Sequence, residues 1–381
     1  MVAKVTIRDI ALMAGVSKTT VSRVINGKPD VDQETRERVL KLIAQHGFVP
    51  SMAATGLAGG RTGLVGVLVP SLAWPLIHQV IRGIADAVED SPYELVLYGL
   101  SHEGERNASI THILEAKLTD GLIAIYPDGG RQNRVVPFER HRTMGYLNQL
   151  YLAGFPIVTI DDESAPLDAP WIGTDSFNGA HAAVTHLIEL GHRRIAHITG
   201  PKDFLCTEER LRGYRVALEE AGIPVDPSLI VQGDFSTPSG ETLAAALFAL
   251  PEPPTAIFAA NDESAYGVMN AAEKGGVRIP EDLALVGFDD ITSSALTRPA
   301  LTTVRQPFYE MGRAAIGLLT STLDAARWPT SPAQRTVRGM AHDQHDAGIQ
   351  TSKRAPIRIQ LASELIVRAS SGLPRDNHAS A

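Results

Sequence analysis

The chain has 381 residues, 44% of them hydrophobic and 20% charged, a composition and length typical of two or three folded domains rather than one small module. No apolar run reaches the roughly 18 residues that a membrane-spanning helix needs, and the N-terminal residues follow an amphipathic pattern rather than that of a signal peptide, so we expect a cytoplasmic protein. The single cysteine, Cys206, excludes an internal disulfide framework and a zinc site of paired thiolates.

Charge is distributed unevenly along the chain. The whole sequence carries a net charge of -8, but its first 62 residues contain nine basic and five acidic side chains, a local charge of +4. The remaining residues therefore carry -12. A small basic segment ahead of a larger acidic region predicts an anionic partner for the first and a different ligand for the second.

Three short helices are predicted in the basic segment, because apolar residues recur there with helical spacing. Thr6, Ser17 and Asp32 stand where a side-chain oxygen can cap each helix. Gly15 lies between the first two helices and can adopt the positive φ of a tight turn. The pattern predicts a helix-turn-helix unit.

Residues 51–62 are alanine-rich and end in glycines, which predicts a linker with weak helical tendency. From Leu64 onwards, short apolar runs alternate with amphipathic helices, a pattern typical of parallel doubly wound sheets. About 300 residues exceed what one such sheet holds, so we expect two lobes, with crossings near Asp161–Ser164 and Asp289–Ser293. Strands are predicted at Leu64–Val69, Glu94–Tyr98, Gly121–Tyr126, Pro156–Ile160, Ile195–Ile198, Thr255–Phe258 and Leu283–Phe288, and helices at Asn178–Leu190, Glu208–Ala221, Glu241–Leu250 and Glu263–Gly275.

Three segments do not follow this alternation. Gly129–Gln149 is rich in arginine and Ser331–Pro356 is polar, so both are predicted to be insertions or loops. Residues 370–381 are rich in Ser, Gly, Pro and Asn, which predicts a disordered tail. Within Ser331–Pro356, the run His342-Asp343-Gln344-His345-Asp346 has no helical metal-ligand spacing, so no metal site is predicted.

Motifs along nearly the whole chain carry a resemblance to one family. They begin with Val5-Thr6-Ile7-Arg8-Asp9-Ile10-Ala11 and Thr20-Val21-Ser22-Arg23-Val24-Ile25-Asn26-Gly27, and continue with Ala260-Asn261-Asp262 and Val286-Gly287-Phe288-Asp289-Asp290. Together they resemble the lactose-repressor / galactose-repressor (LacI/GalR) family of bacterial transcription regulators.

The resemblance implies an all-α helix-turn-helix headpiece at residues 1–50, a hinge segment at 51–62 and an effector-binding and dimerisation body at 63–369. The body is expected to be α/β, with two doubly wound parallel-sheet lobes like those of a periplasmic binding protein. Such a protein is a homodimeric repressor of a pseudo-palindromic operator, associated with the nucleoid when bound. Family tetramers carry a C-terminal leucine-repeat helix that residues 370–381 lack, which favours the dimer.

The resemblance also assigns residues to double-stranded operator DNA. Lys18, Thr19 and Arg23 match base-reading positions, and the two long basic donors are suited to guanine O6 and N7. Phe48 replaces a tyrosine that often contacts phosphate, and Gly56 replaces a better helix former in the hinge segment. Phosphate contacts are implied at Thr6, Ser17, Ser22 and Asn26, and a minor-groove wedge at Leu57.

An effector between the lobes is implied, most simply a small carbohydrate. The segment from Pro70 to Ile77 departs from the family pattern by moving an aromatic residue from after Pro75 to before it, which leaves the effector's identity open. A purine or phosphorylated-sugar co-repressor is an alternative. The matching effector positions are Trp74, Leu76, Asp161, Arg210, Phe235, Asn261, Asp289 and Phe308.

A solute-binding function is an alternative of a different class. A solute-binding protein serving a transporter would need only the body, but it would also need export. The sequence contains no phosphate-binding loop, no Gly-x-Gly-x-x-Gly and no Gly-x-Ser-x-Gly, so neither catalysis nor a cofactor is predicted. We therefore expect a ligand-controlled DNA-binding regulator that is not an enzyme.

Overall fold

The computed structural model describes residues 5–25, 27–48, 61–69, 72, 74–99, 118–125, 137–160, 169–202, 204–325 and 357–372. The chain divides into two compact units. The first comprises Met1–Leu64 with Ala116–Asp120, and the second comprises Val65–Glu115 with Gly121–Ala381.

The first unit begins with three helices, α1 (Ile7–Ala14), α2 (Lys18–Ile25) and α3 (Gln33–His46). All three predicted caps are confirmed: the backbone N–H of Asp9 donates to Thr6 Oγ1 at 3.4 Å, that of Thr20 to Ser17 Oγ at 3.0 Å and that of Thr35 to Asp32 Oδ1 at 2.9 Å. Gly15 has the predicted positive φ, 66°. The small core of this unit includes the buried side chains of Ile10, Ala11, Ala14, Val21, Val24 and Val39.

The second unit contains two six-stranded sheets. The first has the strand order β11-β5-β4-β3-β1-β2, and the second the order β12-β10-β9-β8-β6-β7, in which β12 runs antiparallel to β10. The strands are β1 (Leu64–Val69), β2 (Glu94–Gly99), β3 (Gly121–Ile125), β4 (Ile157–Ile160), β5 (Trp171–Thr174), β6 (Ile195–Thr199), β7 (Ile230–Gln232), β8 (Ala256–Ala259), β9 (Ala284–Asp289), β10 (Thr302–Arg305), β11 (Arg358–Leu361) and β12 (Glu364–Ile366).

Helices cover the sheets in packed pairs: α4 against α10, α6 against α7 and α8 against α9. Every residue of β3, β4, β5, β6 and β8 is buried, as expected for parallel strands covered on both faces. The helices of this unit are α4 (Ile77–Val88), α5 (Pro137–Leu152), α6 (Ser176–Glu189), α7 (Leu205–Glu220), α8 (Thr237–Phe248), α9 (Asp262–Gly275) and α10 (Phe308–Ala325).

Both predicted crossing points between the lobes are wrong. The segment Asp289–Ser293 joins β9 to β10 within the second sheet, and β4 and β5 on either side of Asp161–Ser164 belong to the same first sheet. The chain instead passes between the sheets at Asp175, after Arg305 and after Leu361. The prediction placed each crossing one strand too early, because β5 contains a glycine and β10 reads as polar.

Two further expectations need correction. Residues 137–149 of the predicted loop lie in α5, where Leu147 is buried in the core of the first lobe. The predicted tail begins too early, because Ser370 and Ser371 are buried and Ser370 Oγ donates to the carbonyl of Leu285 at 2.7 Å. The segment Ser331–Pro356 lies outside the described residues. Over the described ranges, no helix is long and apolar enough to cross a membrane.

Candidate nucleic-acid interface and ligand cleft

Helix α2 has one buried and one exposed face. Val21 and Val24 are buried in the core of the first unit, whereas Lys18, Thr19 and Arg23 are all exposed. Residues four apart on a helix lie one above the other, so Thr19 and Arg23 form one exposed row beside Lys18. The three residues predicted to read bases therefore share a face that is available to a partner.

Two predicted phosphate-contacting residues are already engaged as helix caps. Thr6 Oγ1 donates to Asp9 Oδ2 at 2.7 Å, and these hydrogen bonds hold the pKa of the Asp9 carboxyl below its usual range. Ser17 Oγ accepts the backbone N–H of Thr20. Ser22 is half-buried on α2, while Asn26 and Leu57 lie outside the described residues. A phosphate at Thr6 or Ser17 would therefore meet a hydroxyl whose orientation the cap has set.

Arg23 forms an ion pair that the sequence analysis missed. Its Nη2 contacts Asp30 Oδ2, and the two side chains are 50% and 47% exposed. Asp30 belongs to the loop between α2 and α3, so only the folded turn brings the two residues together. The available signal was an acidic residue inside an otherwise basic segment.

A carboxylate marks the end of the first unit. Asp120 accepts the backbone N–H of Thr62 on Oδ1 at 2.7 Å and that of Gly63 on Oδ2 at 2.9 Å, and its own N–H donates to the carbonyl of Leu64 at 2.7 Å. Residues 62–64 are therefore tied to the residue that directly precedes β3. We call this arrangement the Asp120 clamp.

Three of the four predicted polar effector residues lie together in the second sheet's lobe. Asp289 ends β9, Asn261 follows β8, and Arg210 extends from α7, the helix after β6. The carboxyl ends of parallel strands meet at one edge, where open α/β sheets bind ligands. We call the region around these three residues the cleft. Asp161, the fourth, lies outside the described residues.

Arg210 is the central cation of the cleft and is only 4% exposed. Its Nη1 donates to the carbonyl of Ala260 at 2.5 Å, and its Nη2 lies 3.9 Å from Asp289 Oδ1. The guanidinium carbon lies 3.8 Å from the centre of the Phe288 ring, close enough for a cation–π interaction. The orientation of this forked donor is therefore fixed by the protein itself.

Asn261 and Phe235 support each other. The amide Nδ2 of Asn261 donates to the carbonyl of Phe235 at 3.0 Å, and Oδ1 accepts the N–H of Ser264, which caps α9. Phe235 has a φ of 69° and meets Phe204 edge to face, with 5.6 Å between ring centres. The amide therefore fixes an aromatic loop as well as a helix start.

Gln306, which sequence reasoning missed, belongs to the same group. Its Nε2 donates to Asp289 Oδ1 at 2.6 Å. Among the described residues, its buried Oε1 has no hydrogen-bond partner, and the same holds for Arg210 Nε and Thr207 Oγ1. Buried polar atoms are normally paired, so this group has unused capacity for a polar ligand. The signal was Gln306's place directly after β10, at the same edge of the sheet.

The apolar effector positions of the first lobe differ in burial. Phe308 is fully buried and Leu76 is 9% exposed, and both belong to the core between α4, α10 and the first sheet. Trp74 is half-buried against the same core. Of the three, Trp74 retains the most exposed surface for a ligand.

Two buried titratable groups lie beside the cleft residues. His197 stacks between Tyr214 and Phe258, and burial lowers its pKa to about 4. Asp262 accepts hydrogen bonds from Thr303 Oγ1 at 2.5 Å, Ser294 Oγ at 2.6 Å and the N–H of Ile291 at 3.0 Å. Burial raises the pKa of Asp262 to about 7, against the lowering effect of these bonds. Asp262 therefore holds the loop after β9 in place.

In the part of the chain that the structure describes, no group of three His, Cys, Asp or Glu residues is arranged to hold a metal ion. The run from His342 to Asp346 lies outside that part.

Comparisons with known proteins cover both units. The family profile for bacterial regulatory proteins of the lacI family matches residues 6–51, and the profile for a periplasmic binding protein-like domain matches residues 184–342. The HTH-type transcriptional repressor CytR of Escherichia coli (strain K12) is 33% identical over 314 residues, 82% of this chain and 88% of that protein.

Two solved structures are similar over almost the whole chain. The lac repressor dimer bound to operator and the anti-inducer ONPF gives a TM-score of 0.73 at 27% identity, covering 97% of this chain and 99% of that one. A complex of the transcriptional regulator CelR with cellobiose gives a TM-score of 0.64 at 30% identity, covering 96% and 99%.

Proposed function

Because this chain belongs to the LacI family of bacterial regulatory proteins, we propose that it is a cytoplasmic repressor that binds a pseudo-palindromic operator as a homodimer and responds to a small carbohydrate. The observation that carries the DNA-binding part is the exposed face of α2, where Lys18, Thr19 and Arg23 lie opposite a buried face. The operator-bound lac repressor dimer supports the proposed assembly.

The proposed DNA contacts divide into three kinds. Lys18, Thr19 and Arg23 read base edges, since lysine and arginine donate to guanine in the major groove. Residues 1–50 form the headpiece and residues 51–62 the hinge segment. Phosphate contacts are proposed for Thr6, Ser17, Ser22 and Asn26, and Leu57 is the proposed minor-groove wedge.

The charges of the cleft favour a neutral ligand. Arg210 and Asp289 are buried 3.9 Å apart and carry opposite charges, so a phosphate would gain from one and be repelled by the other. Sugar hydroxyls can donate to a carboxylate and accept from a guanidinium, and Phe235 and Trp74 offer apolar ring faces. The cellobiose bound to CelR supports a carbohydrate as the class of effector. The particular sugar, cellobiose, is known only for CelR.

We propose that the effector acts through linkage. A ligand that binds one arrangement of the lobes more tightly shifts the population towards that arrangement by its differential binding energy. Within the described ranges, three segments connect the lobes, at Asp175, after Arg305 and after Leu361, so such a shift moves the first sheet and, through β1, the end of the hinge segment. Operator affinity changes as a result.

A thermal-shift screen tests the effector class. Neutral mono- and disaccharides, phosphorylated sugars and purines are each added to the full-length protein, and the midpoint of thermal unfolding is measured. We expect a neutral sugar to raise the midpoint, and the rise to disappear in Arg210→Ala but not in Arg212→Ala, an exposed arginine of the same helix. A rise with purines or phosphorylated sugars alone would replace the carbohydrate with a co-repressor of that class.

A further inference from the structure

The ion pair between Arg23 and Asp30 joins a proposed base-reading residue to a residue outside α2. We propose that Asp30 is a positioning residue, which aims the Arg23 guanidinium at a base edge and keeps it away from the phosphate backbone. The inference rests on the proposed base contact of Arg23 and adds a residue that determines how selective that contact is.

The loop that carries Asp30 is anchored on both sides. At its start, the N–H of Lys28 donates to the carbonyl of Arg23 at 2.9 Å, and the carbonyl of Lys28 accepts from the Arg36 side chain of α3. At its end, Asp32 caps α3. Asp30 lies two residues from each anchor, so its carboxylate is held at a fixed place relative to the last turn of α2.

The geometry leaves Arg23 able to read a base while it is paired. A guanidinium has five N–H donors in a planar fork, and the ion pair joins one of its nitrogens, Nη2, to Asp30. A bidentate contact with guanine needs two donors. Asp30 therefore restricts the directions in which Arg23 points without consuming the donors that recognition requires.

The charge of Asp30 favours selectivity over total affinity. It is one of only five acidic residues among the first 62, and a carboxylate close to DNA opposes binding of any duplex, because it repels phosphates. An arginine released from Asp30 can swing to a phosphate, a contact that carries no sequence information. In the free protein the pair is half exposed and is expected to add little to the free energy of unfolding. We therefore expect its main effect to be on the recognition of DNA bases.

A double-mutant cycle on the full-length chain tests the proposal. The probe is a duplex selected from a random library by the wild-type protein, together with its single base-pair substitutions and an unrelated duplex. Binding is measured for the wild type, Asp30→Asn, Arg23→Ala and the double variant. Glu34→Gln is the charge-matched control, since Glu34 is an exposed acid at the start of α3, 3.8 Å from Arg38.

We expect Arg23→Ala to abolish discrimination at one base pair of each half-site, about 5- to 150-fold in the wild type. Asp30→Asn should reduce discrimination at that same base pair several-fold and tighten binding of the unrelated duplex about twofold to threefold, because a negative charge is removed. In the Arg23→Ala background, Asp30→Asn should change the affinity for all duplexes alike. Glu34→Gln should leave the base-pair preference unchanged.

The possible failures can be told apart. If Arg23→Ala lowers affinity for all duplexes equally, the proposed base contact of Arg23 is wrong. If Arg23→Ala behaves as expected but Asp30→Asn retains full discrimination, or Glu34→Gln lowers it equally, the base contact stands and the role of Asp30 is refuted. Matching thermal unfolding of all variants excludes a loss of fold as the cause.

Discussion

The headpiece and the cleft each contain an arginine proposed to bind a partner, but they hold it in opposite ways. The side chain of Arg23 is half exposed and has one charged partner across an open surface. That of Arg210 is 5% exposed and is held by a carbonyl, a carboxylate and an aromatic ring. Folding has already removed water from Arg210, whereas Arg23 loses its water only when a partner arrives. A buried group of this kind is oriented in advance on all sides, whereas the exposed one is oriented by a single partner.

The largest expected effect comes from replacing the buried arginine, Arg210. Arg210→Ala should weaken binding of the stabilising sugar by about 2 to 5 kcal/mol, because it leaves Asp289 without its opposite charge in a desolvated site. Operator binding without sugar should be retained. Isothermal titration calorimetry with Arg212→Ala as control measures the change, and equal affinities in the two variants would remove Arg210 from the effector site.

The buried titratable groups of the second lobe predict how its stability depends on pH. The folded-state pKa of His197 lies below its unfolded value of 6.5, so its contribution to stability is present above pH 6.5 and is lost as pH falls. The folded-state pKa of Asp262 lies above its unfolded value of 3.8, so the contribution of Asp262 to stability is lost as pH rises towards neutrality. The two groups therefore act in opposite directions between about pH 4 and 7.

Urea unfolding of the wild type and two variants separates these contributions. Between pH 7 and pH 5, the stability of the wild type relative to His197→Phe should fall by about 2 kcal/mol. Relative to Asp262→Asn, it should rise over the same interval. Parallel pH profiles for all three proteins would mean that neither group changes its protonation on folding in this range.

For the exposed Arg23, we expect a charge-conserving substitution to have a smaller effect on operator affinity. Arg23→Lys keeps the positive charge but loses the planar fork, so binding of the selected operator should weaken by about 1 to 2 kcal/mol. Affinity for an unrelated duplex and the slope of log affinity against log salt should not change. Fluorescence anisotropy titrations at several salt concentrations test this, and an unchanged affinity for the selected operator would contradict a base contact that needs the planar fork.

The smallest predicted effect concerns the scaffold of the headpiece. Thr6→Ala removes the capping box of α1, formed by the reciprocal hydrogen bonds of Thr6 and Asp9, and should destabilise α1 by about 1 kcal/mol. Hydrogen exchange of the α1 amides measures this local loss. Thr19→Ala, an exposed site inside α2, serves as the control, and equal exchange in both variants would show that the cap is unimportant.

Local patterns were predicted well because their causes are local. The caps at Thr6, Ser17 and Asp32 and the strand Leu64–Val69 follow from residue type and spacing alone. Strand β10 was missed because threonines 302 and 303 look solvent-exposed in sequence, yet both are fully buried. Their hydroxyls are bonded to Ser371 and Asp262 respectively, and only the folded chain reveals those distant partners.

The residues of the candidate site also divide into those that could be predicted from the sequence and those that depend on tertiary contacts. Arg210, Asn261 and Asp289 were predicted from the resemblance, and strand ends explain why they meet. The pairing of Arg23 with Asp30 depends on how the loop between α2 and α3 turns, and Gln306 depends on the neighbour of β9 being β10. Neither relation is visible in residue types, because both are set by tertiary contacts.

The Asp120 clamp fixes the length of the tether between the headpiece and the rest of the chain. From Phe48 to Arg61 the backbone can extend at most about 45 Å, and freeing residues 61–63 would add about 10 Å. When one headpiece of a dimer is bound, the local concentration of the other near its half-site falls with the volume that its tether allows. Because that concentration falls roughly as the −3/2 power of tether length, lengthening the tether from about 13 to about 16 residues lowers it about 1.4-fold. We therefore expect Asp120 to influence how strongly the two half-sites cooperate, while lying in neither of the proposed binding surfaces.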